Sequence, residues 1–138
     1  MVYPFVPPAG VDEAVLSRLT AVCAAARPFD CTFNRCHWFG DEVLWLAPDP
    51  DQNFRNLTAA VVKQFPEHPP YGGAFDDVVP HLTIGETRRG TSSQLREAEA
   101  DVMAKLPITC HVEHALLIAG TDRPDSWSTV ATLPLGTG

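Results

Sequence analysis

Prolines limit the length of every regular element that this chain can form. The sequence has 13 prolines in 138 residues, about twice their usual share of roughly 5%. A proline inside a helix removes a hydrogen bond and clashes with the preceding turn. Pro28, Pro66 and Pro107 each close a segment with helical periodicity. We therefore expect short helices and strands, and a helical bundle is excluded.

The hydrophobic pattern predicts three helices and five strands. Apolar residues recur every three to four positions, as on one helix face, over 11–26, 51–65 and 91–106. Strand patterns occupy 29–34, 43–47, 78–85, 108–119 and 127–135. This mixed order favours an α+β fold with helices packed outside mostly antiparallel sheets. At 15.0 kDa the chain is expected to form one domain, residues 1–138.

Charge narrows the range of partners. There are 10 Lys and Arg residues against 17 Asp and Glu, for a net charge of −7. Duplex affinity comes mostly from cationic contacts with phosphates, so we expect no binding to duplex DNA. A pocket for one phosphate or one RNA 3′ end remains compatible with this charge. No stretch approaches the ~20 apolar residues of a membrane span, and the first residues lack an export signal. We expect no membrane association and a cytoplasmic location.

The cysteines and histidines do not follow a metal-binding pattern. The four cysteines contain no C-x-x-C pair and are Cys23, Cys31, Cys36 and Cys110. Without an export signal they are expected to be reduced thiols. In the adjacent pairs Cys36-His37 and Cys110-His111, the two side chains would diverge on a strand. We therefore expect no metal site.

The segment 79–85, Val-Pro-His-Leu-Thr-Ile-Gly, carries the clearest chemical signal. On a strand, His81 and Thr83 point to one face, and Leu82 and Ile84 point to the other, towards the core. An imidazole moves a proton near neutral pH, and a hydroxyl donates a hydrogen bond to a phosphate oxygen. In strand context alone, a histidine that is simply buried and hydrogen-bonded explains the pattern as well.

The segments 65–73 and 75–85 together resemble the bacterial 2′-5′ RNA ligase-like branch of the two-histidine (2H) phosphoesterases. The chain's ending, 127–136, resembles the last strand of that family. Members carry two H-x-T/S-x motifs on neighbouring strands of a two-lobed α+β fold, which face each other across a central groove. The resemblance implies that His81 is a general acid or base and that Thr83 binds phosphate. It also implies a metal-independent phosphodiesterase, with no cofactor, for 2′,3′-cyclic phosphates, 2′-5′-linked RNA ends or small cyclic phosphodiesters.

The chain departs from this family at the first motif. Tyr3-Pro4-Phe5 fits the residues that follow that motif, so Met1 falls on its last position. The first histidine, the first threonine and the N-terminal strand or strands are then expected to be missing. A reading frame begun at an internal methionine and a natural short form both explain this departure. The first explanation is preferred, because it needs only one choice of start codon.

With His81 alone, one of the two proton transfers has no assigned group, so the short form is expected to be impaired. A homodimer that places two copies of His81 across a shared groove would fill the gap. A second histidine from this chain would also fill it, and the candidates are His37, His111 and His114.

Three further residues are candidates for substrate binding. Tyr71 in the segment Pro-Tyr-Gly-Gly either stacks on a base or fixes the turn. Arg88 and Arg89, which follow the motif, either meet a phosphate or are solvated loop charges, and the second interpretation is preferred. Two alternatives to a hydrolase stay open. One is a non-catalytic phosphate- or nucleotide-binding module with half a site, and the other is a non-hydrolytic enzyme on the same fold.

Overall fold

The computed structural model describes residues 4–74, 77–123 and 125–136. Within these ranges the helices are α1 (Glu13–Ala25), α2 (Gln52–Gln64) and α3 (Ser92–Met103). The strands are β1 (Phe29–Phe39), β2 (Val43–Asp49), β3 (Leu82–Glu86), β4 (Ile108–Val112), β5 (His114–Ala119) and β6 (Ser128–Pro134). The α+β prediction is confirmed. Met1, Tyr3, Phe75 and Asp76, which contribute to the family resemblance, lie outside the described residues.

One strand prediction is wrong. The segment 108–119, expected as a single strand, forms β4 and β5, which belong to different sheets. The break falls at Glu113, whose backbone carbonyl accepts a hydrogen bond from the N–H of Leu135 at 2.8 Å. No glycine or proline marks this position. Because the chain stays extended on both sides, the hydrophobic pattern carries no sign of the change of sheet.

The chain divides into two compact units, each assembled from segments distant in sequence. The first unit comprises Met1–Phe29, Phe54–Val78 and His111–Gly138, and the second comprises Asp30–Asn53 and Val79–Cys110. The expectation of one domain over 1–138 stays a prediction.

In the first unit, α1 packs against a two-stranded antiparallel sheet formed by β5 and β6. Its buried core consists of Leu19, Cys23, Phe65, Leu133 and Leu135. The N-cap of α1 is Asp12, whose carboxylate accepts a hydrogen bond from the N–H of Val15 at 2.9 Å. This bond satisfies one of the donors left open at a helix start.

Gly136 joins the end of the β6 segment to the end of α1. Its N–H donates to the carbonyl of Ala26 at 2.8 Å and to that of Cys23 at 3.2 Å. A Cβ atom at position 136 would lie 1.5 Å from the carbonyl oxygen of Ala24. Only glycine therefore allows the two backbones to approach this closely.

In the second unit, four strands form a sheet in the order β3-β2-β1-β4. The pairs β1–β2 and β2–β3 are antiparallel, and β3 and β4 are the outer strands. The apolar side chains buried in this unit include Cys31, Phe33, Leu44, Leu46 and Leu95. The helix α3 packs on β3 through Leu95, whose side chain comes so close to Gly85 that a Cβ there would lie 2.6 Å from it.

A capping box fixes the start of α3. The N–H of Gln94 donates to the Thr91 hydroxyl at 3.1 Å, and the N–H of Thr91 donates to the Gln94 side chain at 2.9 Å. We expect Thr91→Ala to lower the free energy of unfolding by about 1 kcal/mol, because it leaves a helix donor without its cap. Urea unfolding measures the loss. Ser93→Ala, in the exposed first turn, is the control, and equal losses in both variants would contradict the role of the cap.

Candidate functional site

His81 lies directly before β3 and is half-buried. Its Nδ1 is 2.7 Å from the backbone carbonyl oxygen of Val79. A carbonyl oxygen only accepts hydrogen bonds, so Nδ1 must carry the hydrogen. The neutral ring therefore keeps its lone pair on Nε2, the nitrogen that takes up or returns a proton. A backbone contact two residues away thus selects the tautomer that acid–base chemistry requires.

Three aromatic side chains pack with His81 on one face of the sheet, and we call the four residues the aromatic cluster. They are His37, Phe39, Trp45 and His81. Trp45 stacks with His37, with ring centroids 4.7 Å apart, and with Phe39, with centroids 4.5 Å apart. His81 meets Phe39 and Trp45 edge to face, at centroid distances of 5.3 and 6.1 Å. These contacts and the hydrogen bond to Val79 together restrict the orientation of the imidazole.

Trp45 lies at the centre of the aromatic cluster. It is 8% exposed, and its indole N–H, which is buried, has no hydrogen-bond partner among the described residues. A buried donor without a partner typically costs about 1–3 kcal/mol. The tryptophan is therefore held by the packing of its ring.

Thr83 is the neighbour of the aromatic cluster on β3. It pairs in register with Trp45, which itself pairs with His37 on β1. Its side chain is exposed. The structure therefore brings His81 and Thr83 together on the Trp45 face, as the strand pattern predicted.

A bulge changes the face of β3 after Thr83. One step on β2, from Trp45 to Leu44, pairs with two steps on β3, from Thr83 to Gly85. When one strand has an extra residue opposite a single step of its partner, the side chains beyond that point switch to the other face of the sheet. Gly85 consequently faces α3, whereas Thr83 shares the face of Trp45.

The expectation that Leu82 is buried is wrong, since this residue is 50% exposed. It lies on an outer strand of the sheet, and within the described part of the chain no strand pairs with the other side of β3. The helix that packs on β3 meets it at Gly85, three residues further along. Strand alternation predicts the face of a side chain, but not whether another element covers that face.

An open pocket of about 470 Å³ adjoins Thr83. This volume falls in the usual range for small-molecule sites, about 300–1,000 Å³. Its lining consists of Thr83, Ile84, Gly85, Glu86, Arg89, Gly90, Gln94 and Leu95. The guanidinium of Arg89 lies 3.6 Å from the carboxylate of Glu86, so the pocket contains a cation and an anion. The sequence made Arg89, like Arg88, a candidate for contact with a phosphate, and of the two only Arg89 lines this pocket. Gln94 was not a candidate, because its proximity to Thr83 depends on how α3 packs.

The other candidates lie elsewhere. Arg88 follows β3 but does not line this pocket, and its guanidinium is 3.2 Å from the Glu86 carboxylate with the side chain 82% exposed. Tyr71 belongs to the first unit, in the short 3₁₀ segment Pro70–Gly73, with a left-handed φ of 53°.

Of the three candidates for a second histidine, His37 is in the aromatic cluster, and Trp45 lies between it and His81. His111 and His114 belong to the first unit.

The described residues contain no group of three or more His, Cys, Asp or Glu side chains close enough to hold a metal ion. In the same part of the chain, no helix has the length and apolarity needed to cross a membrane.

Comparisons with known proteins agree with the fold. The model of the 2′-5′ RNA ligase superfamily matches residues 1–123. The structure is similar to the crystal structure of TT0787 of Thermus thermophilus, with a TM-score of 0.50 and 15% sequence identity. That match covers 93% of this chain and 74% of the other. At this identity the likeness concerns the fold alone. No curated protein matches the sequence.

Proposed function

This chain belongs to the 2′-5′ RNA ligase superfamily, and on that basis we propose that it is a phosphodiesterase of the 2H type that works without a metal. Its substrate class comprises 2′,3′-cyclic phosphates, 2′-5′-linked RNA ends and small cyclic phosphodiesters. Its partner is thus a small phosphodiester or an RNA 3′ end rather than duplex DNA.

The hydrogen bond between His81 Nδ1 and the Val79 carbonyl is the observation that supports this proposal most strongly. Hydrolysis of a cyclic phosphodiester requires one group to take a proton from water and another to give a proton to the leaving ribose oxygen. His81 with a free Nε2 lone pair takes the first proton, or supplies the second when the ring is protonated. The Thr83 hydroxyl, two residues along, donates to a non-bridging phosphate oxygen.

A second proton-transfer group is not assigned. The sequence contains one H-x-T/S segment, at 81–83, so the rate is expected to be low for the superfamily. The presence of a single H-x-T/S segment also favours the alternative function, a phosphate- or nucleotide-binding module without turnover. The pocket beside Thr83 has the cation Arg89 but not His81 in its lining, so it favours phosphate binding and adds no support for proton transfer.

The test is hydrolysis of a 2′,3′-cyclic nucleotide, with a 3′,5′-cyclic nucleotide as control, in the presence and absence of EDTA. Selective hydrolysis that persists in EDTA supports the proposal. Activity abolished by EDTA contradicts it. Binding of a 2′- or 3′-nucleotide by calorimetry without any hydrolysis favours the binding module.

We expect Thr83→Val to lower kcat/KM for the 2′,3′-cyclic nucleotide by about 10- to 100-fold. Valine keeps the branched shape of the strand residue, but it removes a hydrogen bond to a charged oxygen, worth about 1.5–3 kcal/mol. Thr132→Val, on the exposed face of β6 in the first unit, is the matched control and should retain full activity. Equal activities of the two variants would remove Thr83 from the site.

A further inference from the structure

Two cysteines of the second unit lie next to each other on adjacent strands. Cys31 is on β1 and Cys110 is on β4, the outer strand beside it. The two thiols lie within side-chain hydrogen-bond range of each other. The two residues are roughly 80 positions apart in the sequence, so their proximity is a product of the fold.

The two thiols differ in their access to solvent. Cys31 is 2% exposed, whereas Cys110 is exposed. Burial raises the pKa of the Cys31 thiol, and the nearby Cys110 and Asp30 raise it further. The thiolate is the form that reacts with oxidants, and access limits its reaction. A reagent in solution therefore reaches Cys110 first, because Cys31 is buried.

We propose that Cys31 and Cys110 form a reversible disulfide, in which Cys110 reacts with a hydroperoxide and Cys31 then completes the bond. This site is independent of the proposed phosphodiesterase activity. Neighbouring strands lie about 4.7–4.9 Å apart, and a disulfide needs a Cα–Cα separation of about 4.4–6.8 Å. The general spacing of adjacent strands thus falls within the range that a disulfide spans.

The chemistry balances with the hydroperoxide as the two-electron oxidant. The Cys110 thiolate attacks one oxygen of the hydroperoxide, and the S–O bond forms as the O–O bond breaks. The leaving oxygen takes the proton that the Cys110 thiol gave up, so the products are a sulfenic acid and a water or alcohol. The Cys31 sulfur then attacks the Cys110 sulfur. The S–S bond forms, the S–O bond breaks, and the departing hydroxide leaves as water with the Cys31 proton. A dithiol restores both thiols by exchange.

A cross-link at this place stabilises the sheet. It ties an outer strand to the strand beside it and closes a long loop, which restricts the unfolded chain. We expect oxidation to raise the Tm of the wild-type protein by about 5–10 °C, a shift typical of one disulfide in a chain of this size.

The experiment treats the folded protein with a small excess of hydrogen peroxide, blocks the remaining thiols with iodoacetamide and maps the peptides by mass spectrometry. The expected product is a peptide pair linked through Cys31 and Cys110, which dithiothreitol separates. Thermal unfolding should show the rise in Tm in the wild-type protein and its absence in Cys110→Ser. Cys36→Ser is the matched control on β1 and should keep both the cross-link and the shift.

Cys31→Ser provides a second readout, because it leaves the sulfenic acid of Cys110 without its partner. Dimedone should then label Cys110 more strongly than in the wild-type protein. If this variant does not fold, the exposed Cys110→Ser still tests the pair. The proposal is overturned if both thiols survive peroxide unlinked, if Cys110 instead links two chains, or if Cys36→Ser also abolishes the bond.

Discussion

His81→Ala is expected to lower kcat/KM for a 2′,3′-cyclic nucleotide by about 10²–10⁴, the usual contribution of a positioned acid or base. The imidazole is oriented by Val79 and by the aromatic cluster, and the alanine variant removes the group that these contacts position. His81→Gln is the more conservative variant. It retains hydrogen-bonding capacity but cannot transfer a proton at neutral pH, so it should be nearly as inactive as alanine.

The other four histidines make this prediction specific. His68, whose ring contacts Phe5 in the first unit, is the control, and His68→Ala should retain the wild-type rate. Alanine variants of His37, His111 and His114 then test for a second proton-transfer group, because only a histidine with that role should cause a loss comparable to that of His81. Full activity of His81→Ala would remove the proposed site altogether.

Trp45→Ala is expected to lower the free energy of unfolding by about 3–5 kcal/mol, the usual cost of deleting a buried tryptophan side chain. The residue is 8% exposed and contacts the three other rings of the aromatic cluster. Trp45→Phe should cost far less. It leaves a smaller ring in place and removes the buried N–H that has no partner among the described residues, which offsets part of the lost packing.

Urea unfolding of both variants measures the difference. A loss in Trp45→Phe as large as in Trp45→Ala would mean that the indole N–H has an important partner. The two variants also separate stability from catalysis, because Trp45→Phe keeps an aromatic ring against His81 and should retain most of the activity.

The helices were predictable from the sequence because periodicity and a terminal proline are local signals. The predicted segment 51–65, closed by Pro66, corresponds to α2 at Gln52–Gln64. The strand 108–119 was not resolved correctly, because its division at Glu113 depends on which sheet each half joins. Pairing between distant strands leaves no trace in a local pattern.

Only part of the candidate site could be predicted from the sequence. Alternation along one strand placed His81 and Thr83 on a common face. It could not reveal that Trp45 and His37 pair beside them, since this depends on the register of three strands. Nor could it reveal the bulge that turns Gly85 towards α3, or the exposure of Leu82.

The division of the chain into interleaved units determines the order in which a ribosome can complete them. All residues of the second unit have been synthesised once Cys110 is added, whereas Gly136, which binds the end of α1, comes about two dozen residues later. At about 5–20 residues per second, this is a delay of a few seconds or less. During that interval the apolar face of α1, with Leu19 and Cys23, lacks its partners on β6. In the nascent chain this face of α1 is therefore open to aggregation or chaperone binding until β6 has been made.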